Sequence, residues 1–474
     1  MTIWQQVGQE IEDFLRDIRS LPVSSSLAPN VVRHAIESSF DFVEPISLPD
    51  LTRQLIGLLR QYSVHVTHPR YFGLFNPSIS AASIVADTLV ALYNPQLATW
   101  SHSPAANEIE RVTLRYFAHA LGFDADNSSA NFTTGGLEAN LSAVVVALTH
   151  RFPSYDRGGF RSLEARPAIY VSSESHHSLE KICRIVGLGA DTLRDVPTKT
   201  TLAMDTQALR DLINVDMRTG WYPFLIVGTA GSTGAGIVDP LSELADIAAA
   251  SNVWFHVDAA WGGAAVLVPR LRPALRGIER ADSVTWDAHK WLSVPMGAGM
   301  FFCRHAHAAR RAFDVSASYM PAGAGEETAD QYRTTLQWSR RAIGLKLFMC
   351  LAERGRSGLA ERIDHQARLG DILRTKLRDA GWIVVNDTML PLVCFTHESI
   401  RSNRCTTNDI VESVQVRGVV WLSDVVLARR EKVLRACITS FRTDEDDLDI
   451  LVGELERARI EGARTPGGLT TPEK

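Results

Sequence analysis

Apolar residues recur every three or four positions at the start of the chain, at Ile3, Val7, Ile11, Phe14 and Ile18. That spacing predicts an amphipathic helix with acidic and basic residues opposite. Lys and Arg do not line its polar side, so the stripe reads as a packing face rather than a membrane anchor. Pro22 and the run Ser24 to Ser26 end it. Ser47-Leu-Pro-Asp50 opens a second helix through Leu51, Leu55, Leu58 and Leu59, with Pro49 near its first turn. Two helices without a sheet cannot make a core, so they are expected to lie on another body, such as a partner subunit. His68 to Pro77 is rich in aromatics and prolines and reads as an ordered loop. Ser103 and Pro104 then open a helix whose buried side is expected at Ile109, Val112, Phe117 and Leu121.

From there to about residue 305 strand-like runs alternate with helical ones. Ala168 to Ser172, Phe224 to Gly228, Val253 to Val257 and Gly299 to Cys303 are apolar on both faces. Such strands, separated by helices, predict a largely parallel sheet covered on both sides, an α/β fold. A long helix through Leu345, Leu347 and Leu351 leads to a C-terminal α/β segment with strands at Trp382 to Val385 and Val433 to Ile438. Gly462 to Lys474 holds Pro, Gly and Thr without apolar periodicity and reads as a disordered tail.

Length and composition narrow this further. A chain of 474 residues exceeds one ordinary core, so a large domain with smaller appendages is expected. The expected boundaries are a helical arm at 1–67, a large domain at 68–345, a small C-terminal domain at 346–461 and the tail at 462–474. Hydrophobic residues at 45% and charged residues at 22% are ordinary for a soluble globular protein. A formal charge of -5 with interspersed signs leaves no basic footprint for nucleic acid or a membrane surface. The six cysteines are scattered without a Cys-x-x-Cys pair, which argues against a disulfide framework or zinc site and for a reducing cytoplasm. Neither a signal peptide nor a membrane-spanning run is read.

Four stretches carry chemistry. Ser283 to Leu292 reads as a buried strand running into a tight turn that bears Lys290 beside His289. A desolvated ammonium has a depressed pKa, so its amine can form a Schiff base; a surface lysine in a turn is the ordinary alternative. Asn131 to Asn140 reads as a strand ending in Gly135 and Gly136 before a helix, where free N–H groups and the helix dipole favour an anion, though glycine turns also serve structure alone. Ser172 to Lys181 places His176 and His177 at a strand's C-terminal end, where open α/β sheets bind ligands, or leaves them as a surface pair. Phe255 to Gly263 ends a buried strand in Asp258, a carboxylate that needs a cation there. A metal is the rival partner for it, but no neighbouring ligands stand at metal spacing, so no metal site is read.

Asp287-Ala-His-Lys-Trp-Leu292 resembles the lysine motif of the group II amino-acid decarboxylases that use pyridoxal 5'-phosphate (PLP), the aromatic-amino-acid and glutamate decarboxylase family. The glycine turn is similar to that family's phosphate turn, Thr-Ser-Gly-Gly-Thr-Glu-Ala-Asn, and departs from it at Leu137, where a hydroxyl residue is usual. One side-chain hydrogen bond is lost there, of order 1.5–3 kcal/mol for a charged acceptor, with Thr134 or Ser142 as the hydroxyls available to compensate. The resemblance runs from about His68 to Arg341, with weaker agreement in the C-terminal Leu434-Arg435 strand, and implies a fold-type-I PLP enzyme with its site at a homodimer interface. It further implies that Lys290 carries the aldimine, His176 stacks on the pyridine ring, Ala260 lies beneath it and Asp258 meets its nitrogen. Thr229, in Val227 to Gly234, would lie near the ring oxygen, and Asp287 and His289 near the phosphate.

The implied reaction is decarboxylation of an L-amino acid to the amine and CO2 through a quinonoid. In the glycine-rich stretch Asp314 to Thr328, Tyr319 falls on the family's loop tyrosine, expected to protonate the α-carbon. Relatives with phenylalanine there tend toward oxidative deamination to aldehydes. Amino transfer, that oxidation, or a catalytically silent PLP-fold binding protein are the alternatives. The substrate pocket implied by the resemblance comprises Leu74, Phe75 and Asn76 with Ala98, Trp100 and His102, the second group from the partner subunit. Among these loops only Arg70 offers a cation, so a polar or mixed side chain is expected ahead of an acidic one, and only slightly ahead of an aromatic one.

Overall fold

The protein is described by a computed structural model covering residues 2–25, 28–315, 330–427 and 431–464. Seven strands form the central sheet: β1 (Ser129–Thr133), β2 (Arg166–Ser172), β3 (Leu193–Val196), β4 (Trp221–Thr229), β5 (Trp254–Asp258), β6 (Ser283–Asp287) and β7 (Gly299–Cys303). Their order is β1-β7-β6-β5-β4-β2-β3, and β7 alone runs antiparallel to its neighbours β1 and β6. The expected strands are all present. Alternate residues feed opposite faces, with Ala168 and Tyr170 in one apolar cluster and Ile169 and Val171 in another. Both faces are therefore covered, as the doubly apolar runs require. This is the fold-type-I PLP architecture.

Beyond it lie β8 (Ile383–Val384), β9 (Leu392–Thr396), β10 (Ser423–Leu427) and β11 (Glu431–Cys437), in the order β10-β11-β9-β8. Every pairing in this small sheet is antiparallel. The helix Leu345–Asp379 bridges the two sheets and bends at Gly355, whose φ of 65° only glycine adopts readily. The last helix, Glu445–Arg464, carries the chain past Gly462, where composition suggested a tail; residues 465–474 fall outside the described set.

The first three α-helices of the described residues are Ile3–Asp17, Pro29–Ser39 and Leu48–Tyr62. The periodicity reading missed the middle one, although Pro29 in its first turn marks its start. None of the three contains a buried residue, and Trp4 and Leu59 are exposed. Arg19, just beyond the first of them, is tied to the C-terminal region through Asp444 and Asp447 at 2.7 and 2.9 Å. Among the described residues no helix is long and apolar enough to cross a membrane.

One helix face differs from expectation. In Pro104–Leu121 Val112 is half exposed, and the buried side carries Glu110 with Asn107, Thr113, Leu114 and Phe117. Glu110 is buried because it pairs with the equally buried Arg340 and accepts Gly344 N–H at 2.8 Å. A period that assigns charge to solvent cannot register such a pair.

Candidate active site

The parallel strands β4, β5 and β6 end at Thr229, Asp258 and Asp287, on one edge of the sheet. Register puts Thr229 beside Asp258, and Asp258 beside Thr285. The antiparallel β7 sets Gly299 opposite both Asp287 and Thr133, which brings the end of β1 up to the end of β6. A cleft of about 180 Å³ opens along this edge, lined by Lys290, His289, Asp287, Asp258, Ala260, Thr229, His176, Gly136 and Leu137. Residues far apart in sequence thus meet because each closes a strand.

The helix Gly136–Arg151 points its N-terminus into the cleft, and no side chain caps it. Unpaired N–H groups and the positive dipole end therefore face the space. Glycine is needed at 136 because a Cβ there would lie 2.9 Å from Asp287 Oδ2. Leu137 lies at the cleft on the first turn. The hydroxyls that could replace the one it lacks are engaged elsewhere: Thr134 Oγ1 donates to Glu138 Oε2 at 2.7 Å, and Ser142 Oγ to Glu138 O at 2.9 Å. Gln337 also donates to Glu138, at 2.8 Å, bracing the turn from a distant loop.

Lys290, read from the sequence as a desolvated amine, is paired with a carboxylate. Its Nζ lies 3.0 Å from Asp287 Oδ2, with about a fifth of the side chain exposed. His289 Nδ1 accepts Ala298 N–H at 3.1 Å, and burial holds the imidazole below its ordinary pKa, which favours the neutral form. His176 faces the open cleft. Its Nδ1 accepts Ser178 N–H at 3.2 Å, and the protein around it, with Lys290 adding, depresses its pKa. Asp258 accepts Ala260 N–H through Oδ1 at 3.1 Å and the Asn140 amide through Oδ2 at 2.8 Å, leaving lone pairs toward the cleft.

Of the pocket residues expected from sequence, the structure brings Phe75 to this cleft. Its ring stacks on Trp261 at 4.7 Å and lies 5.5 Å from Lys290 Nζ. Leu74 is exposed, and Asn76 turns its amide toward Met296 Sδ at 3.9 Å. Ala98 is buried against Tyr332, whose N–H it accepts at 3.1 Å. Trp100 is held by Asp330 and Glu108, each at 3.0 Å, and lines a separate pocket; His102 is exposed beside it. Ala98, Trp100 and His102 do not reach the Lys290 cleft of their own chain. Arg70 faces the N-terminal arm, donating to Arg19 O at 3.1 Å. Tyr319 lies outside the described residues.

Several residues at the site carried no signal in the apolar pattern. Asn140 on the helix, Trp261 beyond β5 and Arg435 on β11 are the clearest. Arg435 is buried at 2% exposure, its guanidinium 4.9 Å from the Phe75 ring, with Nε donating to Thr233 O at 3.0 Å and Nη1 to Gly73 O at 2.5 Å. Its Nη2 has no partner among the described residues. Buried cations are rarely left so, which marks a place for an anion. Among the described residues no group of His, Cys, Asp or Glu could hold a metal ion.

An uncapped helix N-terminus, an accepting carboxylate at a strand end, an imidazole above the cleft and an amine at its rim suit a phosphorylated pyridine aldehyde. The comparisons with known proteins agree. Residues 36–398 match the model of the pyridoxal-dependent decarboxylase conserved domain. Tryptophan decarboxylase 2 of Oryza sativa subsp. japonica is 28% identical over 453 residues, covering 93% of this chain and 90% of that protein. L-aspartate decarboxylase dtxS4 of Metarhizium robertsii is 30% identical over 402 residues, 82% and 80% of the two chains. The solved Oryza sativa TDC with PLP and tryptamine superposes with a TM-score of 0.89 at 25% identity, over 97% of each chain. The chain belongs to the pyridoxal-dependent decarboxylase family, carboxy-lyases that act on amino acids with PLP as cofactor.

Proposed function

We propose that the protein removes the α-carboxyl group of an L-amino acid as CO2 and releases the amine. The observation that carries this reading is the meeting of Lys290, Asp258 and His176 in one cleft beneath the uncapped helix at Gly136. PLP, when bound, supplies the electron sink for the bond that breaks, and the protein chooses which bond that is by orienting the substrate. In this reading the backbone N–H groups of Gly135, Gly136 and Leu137 receive the phosphate, with Asp287 and His289 at its edge. His176 and Ala260, which both line the cleft, would pack against the ring. Thr229 would serve the ring oxygen, Asp258 would accept the ring N–H, and Lys290 would hold the cofactor.

Arg435 is assigned to the substrate carboxylate, supported by its burial and its unpaired Nη2. Every amino acid brings that carboxylate, so Arg435 does not by itself favour an acidic side chain. A polar or mixed side chain remains the proposal. Tyr319 is assigned the proton returned to the α-carbon once CO2 has left.

The working form is proposed to be a homodimer in a reducing cytosol. Three apolar-striped helices without buried residues support the first, and six buried free cysteines the second. Ala98, Trp100 and His102 would then serve the partner's cleft. A panel of L-amino acids scored together for CO2, keto acid and hydrogen peroxide tests the reaction. Stoichiometric CO2 and amine are expected; keto acid would indicate amino transfer, peroxide would indicate the oxidative route, and no product at all a silent protein. Clear preference for glutamate or aspartate would overturn the pocket reading, and His102→Ala is expected to shift the preference.

A further inference from the structure

Behind Asp258 a continuous row of polar side chains crosses an otherwise apolar interior. Trp254 Nε1 donates to Ser283 Oγ at 2.9 Å, and Ser283 Oγ lies 2.9 Å from His256 Nδ1. His256 Nε2 lies 3.1 Å from Asn140 Oδ1, and Asn140 Nδ2 donates to Asp258 Oδ2 at 2.8 Å. All five residues are buried, Ser283 and His256 completely. The sequence builds the row simply. Trp254, His256 and Asp258 are alternate residues of β5 and share one face. Ser283 is the cross-strand neighbour of His256 on β6, and Asn140 descends from the helix over that face.

The row has one polarity. An indole nitrogen only donates and an ionised carboxylate only accepts. Because Asp258 accepts from Asn140 Nδ2, Asn140 Oδ1 is left to accept from His256 Nε2, and His256 Nδ1 to accept from Ser283 Oγ. The imidazole then carries its proton on Nε2 and donates it to Asn140 Oδ1, with Thr285 Oγ1 at 3.4 Å as a second contact. That fixes the carboxamide with its amino group toward Asp258, the other N–H reaching Ser178 Oγ at 3.5 Å. Burial pushes the His256 pKa down to about 4, which keeps the ring neutral and the direction intact.

We propose that Trp254, Ser283, His256 and Asn140 form a one-way hydrogen-bond chain that keeps a donor against Asp258 Oδ2. The carboxylate is thereby held ready to accept the ring N–H of PLP. These are positioning residues that act through Asp258. Without the Ser283 hydroxyl, His256 Nδ1 loses its donor and the imidazole is free to carry its proton there instead. Its Nε2 would then demand a donor, the Asn140 carboxamide would turn over, and an oxygen would face Asp258. The carboxyl group would meet that oxygen best by keeping a proton of its own, and could no longer accept one from the ring.

The test compares PLP with its 1-deaza analogue, in which carbon replaces the ring nitrogen, binding to the apo protein by tryptophan fluorescence. Wild type is expected to favour PLP. Ser283→Ala is expected to reduce that preference by roughly tenfold, the scale of one charge-assisted hydrogen bond, with the analogue's affinity little changed. Ser283→Thr, which keeps the hydroxyl, should retain it. Equal weakening of both ligands by Ser283→Ala, or an unchanged preference, overturns the chain. The proposal rests on Asp258 as the ring-nitrogen partner. A wild type that does not distinguish the ligands removes that assignment and the chain with it, whereas a preference that survives Ser283→Ala removes the chain alone. Nitrogen NMR of wild-type His256 needs no variant to fold: a proton on Nε2 is expected, and one on Nδ1 overturns the proposal.

Discussion

Lys290 Nζ lies 3.0 Å from Asp287 Oδ2, three residues back along the same turn. The ion pair holds the amine at the rim of the cleft, beside the uncapped helix N-terminus at Gly136. Purified protein is therefore expected to be yellow, and borohydride should lock the cofactor to Lys290, identified by peptide mapping. Lys290→Ala should be colourless. If that variant retains a reducible link, another residue holds the cofactor.

Tyr319→Phe removes a single hydroxyl, so cofactor colour and substrate binding should survive. Amine formation is expected to fall by roughly 10²–10⁴-fold, the usual worth of a positioned general acid. Aldehyde and peroxide should appear in its place. Unchanged amine formation would leave His176 or a water as the donor.

Arg435 makes two hydrogen bonds to carbonyls, and its buried Nη2 has no partner among the described residues. A charged hydrogen bond contributes about 1.5–3 kcal/mol, so Arg435→Gln should weaken substrate binding by roughly 10- to 100-fold. Affinity for PLP itself should change little. A variant that loses PLP and substrate together would show instead that Arg435 supports the cleft wall through Thr233 and Gly73.

The buried pair Glu110 and Arg340 joins the helix Pro104–Leu121 to β1, because Arg340 Nη1 also donates to Phe132 O at 2.9 Å. Removing one partner strands a buried charge, and Glu110→Ala should cost about 3–5 kcal/mol in unfolding experiments. Glu110→Ala combined with Arg340→Met should cost less than Arg340→Met and Glu110→Ala summed. Simple additivity would mean the two charges do not sense each other.

His68 is buried, and desolvation together with the nearby Arg70 pushes its pKa down to about 4. The unfolded chain takes up this proton near pH 6.5, the native one only near 4. Stability from this group is thus intact above about pH 6.5 and falls as the pH drops through that window, by roughly 3 kcal/mol. Urea unfolding at stepped pH should show the decline, and His68→Gln should flatten it.

The sheet and its strand-end residues were legible because each is announced locally. An apolar run predicts a strand, and the polar residue that ends it, Asp258 or Asp287, can be read in place. What stayed hidden was polar and buried. Asn140, Arg435 and Glu110 look like solvent-facing residues on any periodic scale, and only a partner brought from elsewhere explains their burial. Val112 was misassigned for the same reason, since Glu110 took the inward place expected for an apolar side chain. Ala98, Trp100 and His102 illustrate a different limit: the resemblance assigns them to the partner's pocket, and a single chain holds them away from its own Lys290 cleft.

The placement of β7 between β1 and β6 has a consequence for biosynthesis. The glycine turn and the lysine turn are both complete once residue 290 is made, yet among the described residues β1 pairs only with β7. A nascent or truncated chain that stops before Gly299–Cys303 holds the glycine turn, His176, Asp258 and Lys290 but has nothing to hold Thr133 beside Asp287. Until then β1 is an unpaired edge, open to the wrong neighbour. The cofactor site therefore needs β7 paired with both β1 and β6, and a fragment ending at the lysine motif should neither bind PLP nor stay soluble.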